Sequence, residues 1–532
     1  AQILKPPRIR PVPGLTLQRD LTVSSVAGGS PPSKGIGPGV TRDVFAVIDH
    51  GCPFMHPLLC TQSGTMRSTR VRALWDQQAA ATNDARTKPK GFEYGTELSR
   101  EQLNAVIRAA AGDECLAYES LGYQALRMRE SHGAHSLGIL LDDGLRPLGD
   151  TRDDETPDVL FVQLPQGLLS APNRAVLSRH VVDALVWIES HREPGERVIV
   201  SLSEGSSQGP NDGSSIVERA LQAFTQWGPR RALNRIYIAA GNGFDERLHA
   251  RAVLSPSAPT SFLWRVPPAS ELPASVEIWL PTAANDSMAE VQVELFAPDG
   301  RQAARVMPGQ TAHWPDPRAA AASVVSTSWR GKGCTLCLIR LAPTAVSGAR
   351  ACATVGDWTI KLTTKTGSKK PVHLFIGRIK RALGFPLRTA QSTFVSNGRR
   401  GFVGASGKGT LQGLATAKGV VRVGGVIGVR RKPPPTEYSS RGPSRDGSIH
   451  GPDVSVRVDD GDMLKGRRSI GNLSGVSFRM NGTSVGAPLA ARLDRETPRP
   501  PASYAGPKGT APPDKKPRDA GAIGKILRDP FG

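Results

Sequence analysis

The sequence has no long apolar run. Its best candidates, Ala134–Leu141 and Val181–Ile188, fall far short of the ~18 residues needed to span a bilayer, so the chain is not expected to cross a membrane. Cysteine is scarce. Six cysteines in 532 residues (52, 60, 115, 334, 337 and 352) exclude a disulfide scaffold. Cys334-x-x-Cys337 has redox or half-zinc spacing, but no second pair accompanies it and its flanks read as a strand. A buried structural pair is the favoured reading over a metal or redox site. Negative charge is also in short supply, with 47 Asp+Glu against 68 Lys+Arg and a net charge of +21. Such a field attracts polyanions without specificity at low salt. Finger spacings, an RNP-type aromatic motif and a basic zipper are all missing, so no specific nucleic acid is expected. The N-terminus, Ala1-Gln-Ile-Leu-Lys5, lacks an apolar h-region. The expectation is a cytoplasmic protein, or alternatively one secreted or periplasmic after removal of a signal.

What is present points to folded domains. Hydrophobic residues make up 39% of the chain, enough for a sizeable core, and 532 residues suggest two to four domains at about 150 residues each. With 57 glycines and 44 prolines, loops and turns are abundant. The Arg/Ala/Gly-rich composition points to a bacterium. Residues 1–40 are Pro/Gly/Ser-rich and read as an extended arm. Val44–Asp49, Val159–Pro165, Arg197–Glu204, Arg235–Asn242 and Val420–Ile427 are short apolar runs bounded by turn residues, as buried parallel strands are. Helical patterns lie between them at Arg179–Glu193 and Ser214–Trp227. The expected fold is therefore α/β, a doubly wound, mainly parallel sheet, with chemistry at the carboxyl ends of its strands.

Between Ser257 and Arg388 period-two alternation replaces the helical signal, as in Val276–Leu280, Val291–Leu295, Trp358–Leu362 and Val372–Ile376. These read as a β-sandwich inserted into the α/β unit. The domains expected are an arm over 1–40, a first part of the α/β domain over 41–255, an inserted sandwich over 256–394, a second part of the α/β domain over 395–495, and a basic, Pro-rich tail over 496–532.

Three segments carry chemistry. Asp49 ends the first apolar run in Ile48-Asp49-His50-Gly51. His132 opens a helix in Ser131-His132-Gly133-Ala134-His135. Ser484 stands among small residues in Asn481-Gly482-Thr483-Ser484-Val485-Gly486-Ala487-Pro488. Taken singly, each has an ordinary structural explanation: a loop acid, a helix-start histidine, a helix-capping serine. His132 and His135 also have spacing that permits metal ligation, although no acidic ligand follows the zincin pattern. Together the segments supply an orienting acid, a base and a nucleophile in one of the known chain orders of the Asp-His-Ser triad.

On these residues the sequence resembles the subtilisin-like serine proteases, the subtilases. Asp49-His50-Gly51…His56-Pro57-Leu58 is similar to that family's Asp motif, His132-Gly133-Ala134-His135 to its H-G-T-H, and Gly482–Pro488 to its G-T-S-M-A-x-P. Supporting blocks are Ile238–Gly243, Val200–Ser203, Ala415–Gly425 and Ser439–Val454. The resemblance implies a sheet of subtilisin type and a serine endopeptidase acting through an acyl-enzyme. It assigns catalysis to Asp49, His132 and Ser484, and the oxyanion donor to Asn242. It places Ser201, Leu202, Ser203, Glu204, Gly205 and Gly241 at the substrate cleft. Ser203 and Glu204 stand where the family has glycines, so Glu204 either favours a basic substrate residue or points to solvent. No cofactor is required and no metal ligand is expected. No segment matches a calcium loop, so calcium is left unassigned. The expected partners are a protein or peptide substrate and, beyond that, a regulatory protein. The alternative is a silent or latent family member that binds peptides or assembles with partners.

Overall fold

The five short apolar runs all form strands of one sheet, and burial explains it: Val44, Ala46, Val47, Ile48, Leu160, Val162, Val198 and Val200 are all fully buried. The computed structural model describes residues 42–63, 66–78, 88–141, 157–166, 174–227, 234–281, 290–315, 321–329, 334–345, 352–368, 370–379, 390–428, 433–496 and 525–526. The expected arm over 1–40 and most of the expected tail lie outside the described residues.

The sheet has nine strands, in the order Lys525–Ile526, Val454–Asp459, Val421–Ile427, Arg235–Ala239, Glu196–Leu202, Arg42–Asp49, Val159–Gln163, Val71–Asp76 and Thr96–Ser99. Neighbours are parallel except Val71–Asp76 with Thr96–Ser99. Helices cover both faces. Leu137 and Leu140 of His132–Leu141 and Leu489 and Ala490 of Thr483–Glu496 share one core. Val181, Leu185 and Ile188 of Arg174–Ser190 and Leu221 and Phe224 of Ile216–Phe224 share the other. The last helix is shorter than its periodicity suggested because Ser215 caps it. The Ser215 hydroxyl accepts the Glu218 N–H (3.2 Å) while the Glu218 carboxylate accepts the Ser215 N–H (2.9 Å). No helix of the described residues is long and apolar enough to cross a membrane.

The alternating segments form two antiparallel sheets. One has five strands, Gln302–Val306, Val291–Phe296, Gly356–Thr364, Thr260–Val266 and Thr393–Val395. The other has six, Thr311–Trp314, Ala322–Trp329, Cys334–Leu341, Ala274–Pro281, Val372–Ile376 and His249–Ala252. Alternate residues of both, among them Phe262, Trp264, Trp358, Val276, Ile278 and Ile339, bury into one shared core. The edge strand His249–Ala252 precedes residue 256, where the sequence pattern placed the start of this unit. Cys334 and Cys337 lie three apart on one strand and so point to opposite faces. Cys337 packs in the shared core and Cys334 packs with Trp279 and Phe375 on the outside. The geometry leaves them as separate buried thiols; burial pushes the Cys337 thiol up to about 12.

The six-stranded sheet grips the segment that follows the strand Glu196–Leu202. Ser207 Oγ donates to the Ile376 carbonyl (2.9 Å), the Gly209 N–H donates to Glu277 (2.8 Å), and Gln208 Nε2 donates to the Phe375 carbonyl (3.2 Å) and Ser275 Oγ (3.1 Å). Arg445 ties the same place, bonding Asp212 and lying 5.3 Å from the Trp279 ring. Gln208 is buried, so Gln208→Ala strands acceptors inside the contact. We expect a stability loss of about 1–3 kcal/mol, read from chemical denaturation midpoints.

Candidate functional site

Asp49 closes the central strand Arg42–Asp49, where the rigid ladder fixes its carboxylate at the carboxyl edge of the sheet. The side chain is 1% exposed, and a carboxylate so deeply buried needs donors. It has them. Oδ1 accepts the His50 N–H (2.7 Å) and Oδ2 accepts the Ser136 hydroxyl (2.9 Å). His132 Nδ1 lies 2.7 Å from Oδ1 and 2.8 Å from Oδ2. A carboxylate only accepts, so Nδ1 carries the proton and Nε2 presents a lone pair when the ring is neutral. His132 and Ser136 are one helical turn apart, which puts both over the same carboxylate. Gly133 permits the approach: a Cβ there would sit 2.5 Å from the His50 carbonyl oxygen, which the Gly133 N–H itself meets at 2.5 Å.

Ser484 stands in the first turn of the helix Thr483–Glu496. Its hydroxyl points to the Ser203 carbonyl oxygen at a long 3.4 Å, and Ser203 Oγ donates to the Ser484 carbonyl (3.0 Å). Asn242 is locked by its neighbour. Its Oδ1 accepts both the Thr483 N–H (2.8 Å) and the Thr483 hydroxyl (2.8 Å), which commits the carbonyl end of the amide and leaves Nδ2 as the outward donor. Gly482, at φ +119°, passes so close that a Cβ would lie 2.8 Å from Asn242 Nδ2.

His132, Asn242 and Ser484 line one cleft of about 390 Å³ together with Ser203, Glu204, Gly205 and Gly241. Ser201 and Leu202 do not line it; both are buried within the strand before it. Other lining residues carried no sequence signal: Gln412 comes from the second part of the α/β unit, and Arg378 and Ile379 from the end of the inserted sheets, while Ser440 belongs to the block Ser439–Val454. Glu204 does not face solvent. It is 5% exposed, and a carboxylate oxygen lies within 4.8 Å of a His132 ring nitrogen and an Asp49 oxygen. Among the described residues this trio is the group with metal-ligand spacing, and His135 is not in it. His135 instead bonds the Arg467 carbonyl (2.8 Å) and stacks edge-on against Phe478.

Burial holds several histidines neutral. His135 and His249 are lowered from 6.5 to about 4, in each case chiefly by desolvation, and His56 likewise by desolvation and the Arg67 charge. A depressed folded-state value means that the unfolded chain binds more protons below about pH 6.5. Stability is full above that pH and is lost as pH falls toward 4. Each of these histidines contributes roughly 1.4 kcal/mol per pH unit across that window. We expect the urea midpoint to fall steeply between pH 6.5 and 4.5.

No family model matches the chain, and none of the curated proteins does. A solved structure described as the Clostridium perfringens CspB protease matches with a TM-score of 0.60 at 17% identity, over 85% of this chain and 80% of that one. At that identity the likeness shows the fold alone, so the chain shares the fold of a protease. The motif-based expectation that it is a subtilisin-like protease of the subtilase family is corrected by the absence of any family match. The physical reason is that the resembling blocks are short and hug the cleft, where backbone must approach a few polar groups closely. Such blocks reach no further than Leu58 in the stretch between Asp49 and His132, and none lies in the antiparallel sheets.

Proposed function

We propose that this protein is a serine endopeptidase that hydrolyses peptide bonds in specific protein substrates through an acyl-enzyme. The observation that carries the reading is the carboxylate–imidazole pair of Asp49 and His132, with Nδ1 bonded by both oxygens, opening on the cleft that Ser484 and Asn242 also line. In this reading the Ser484 hydroxyl turns from the Ser203 carbonyl to His132 Nε2, gives up its proton and attacks the substrate carbonyl. Asp49 stabilises the imidazolium that forms. Asn242 Nδ2 and the Ser484 N–H receive the developing oxyanion, in the first turn of a helix whose dipole favours negative charge. His132 then protonates the leaving amine, and water, deprotonated by the same ring, releases the acyl group.

A second reading, a latent protease or peptide-binding module, is favoured by one observation: the Ser484 hydroxyl rests on the Ser203 carbonyl. Labelling with a small fluorophosphonate separates the two. Stoichiometric labelling of the full chain that is absent in Ser484→Ala supports the peptidase. No labelling of the wild type favours the latent module.

A further inference from the structure

Glu204 is the feature of the cleft that the peptidase chemistry does not use. It follows the strand Glu196–Leu202 by two residues, so the sheet fixes its backbone beside the reacting groups. Its side chain is not on the surface, being 5% exposed. It lines the same cleft as His132 and Ser484. Its carboxylate and that of Asp49 both lie within 4.8 Å of one imidazole. Two carboxyl groups therefore stand close to a single basic ring that lines the cleft. The other charged residue lining the cleft, Arg378, is already engaged, its Nε and Nη2 meeting Glu246 Oε1 at 3.0 and 2.6 Å.

We infer that Glu204 is a specificity-determining residue that selects substrates with a cationic side chain, Arg or Lys, beside the scissile bond. The inference rests on the peptidase reading and names its substrate class. An acid in a cleft largely closed to water attracts a cation more strongly than one at the surface. It also repels an acidic substrate residue, so discrimination arises from both signs. The cleft of about 390 Å³ is also lined by Gly205, Gly241 and Gln412, whose side-chain amide lies over Gly205. Arg and Lys reach such a carboxylate through long apolar stems that pack along that lining.

The test uses three peptidyl diphenyl phosphonates that differ only in the side chain next to phosphorus: guanidinium, norleucine or carboxylate. In each, Ser484 Oγ would bond to phosphorus and phenol would leave with the hydroxyl proton. For the wild-type full chain we expect the guanidinium probe to label at least about tenfold faster than norleucine, with the carboxylate probe slowest. Glu204→Gln should bring the guanidinium-to-norleucine ratio to within about twofold, and Glu204→Lys should put the carboxylate probe first. Equal wild-type rates, or an unchanged ratio in Glu204→Gln, overturn the inference. Should a variant fail to fold, the wild-type ratio alone decides. A wild type that reacts with the small fluorophosphonate but shows no cationic preference sinks only this inference. One that reacts with neither probe class sinks the peptidase reading and this inference with it.

Discussion

Ser484→Ala should lower peptide hydrolysis by about six orders of magnitude relative to the wild type. The size of the effect follows from where Ser484 stands. Its hydroxyl lines the same cleft as His132 and makes a long 3.4 Å contact with the Ser203 carbonyl. Alanine removes the attacking oxygen and leaves Asn242 and the helix start in place. What survives is oxyanion stabilisation of attack by water, typically 10³–10⁴ over the uncatalysed rate. Turnover of a fluorogenic peptide, with circular dichroism to show the fold retained, checks it. A loss of less than about a hundredfold would remove Ser484 from the role of nucleophile.

Asp49→Asn should cost about 10⁴ in turnover while leaving the protein folded. The hydrogen bonds dictate why. The His50 N–H is a fixed backbone donor and keeps the amide's carbonyl oxygen at the Oδ1 position. The new NH₂ then faces Ser136 and His132. Ser136 adapts by turning its hydroxyl to accept. At His132 the NH₂ stands 2.8 Å from Nδ1, a clash of donors that is relieved when the proton moves from Nδ1 to Nε2, and an Nε2 that carries a proton takes none from Ser484. Steady-state kinetics beside fluorophosphonate labelling rates measure the effect. An activity within tenfold of the wild type would show that the carboxylate is not needed to set the tautomer.

These two residues, with His132, were legible in the sequence because each sits where a rule about local structure applies. Asp49 ends an apolar strand, His132 starts a helix of small residues, and Ser484 opens another after Gly482. The five parallel strands were legible for the same reason, since continuous apolar runs between turns have few other uses. Strand alternation in the insert was equally plain at Val276–Leu280 and Trp358–Leu362. What was not legible depends on distance in the chain. Ser136 could have been found from its place one turn after His132. Arg378 and Gln412 reach the cleft through tertiary packing that no local pattern encodes. Ser201 and Leu202 were placed at the cleft by analogy with a motif, but their strand buries them before the chain emerges at Ser203. The direction of Glu204 was undecidable from sequence because alternation stops where the strand stops. The two-residue strand Lys525–Ile526 was invisible, lying in a stretch whose composition reads as tail.

That short strand has a bearing on how the protein behaves in solution. The strand Val454–Asp459 would otherwise end the nine-stranded sheet, offering a row of backbone N–H and C=O groups to any extended chain. Val454 and Ser455 instead pair with Lys525 and Ile526. Residues 525 and 526 thus act as a short selvedge, binding off the start of that border at Val454 and Ser455.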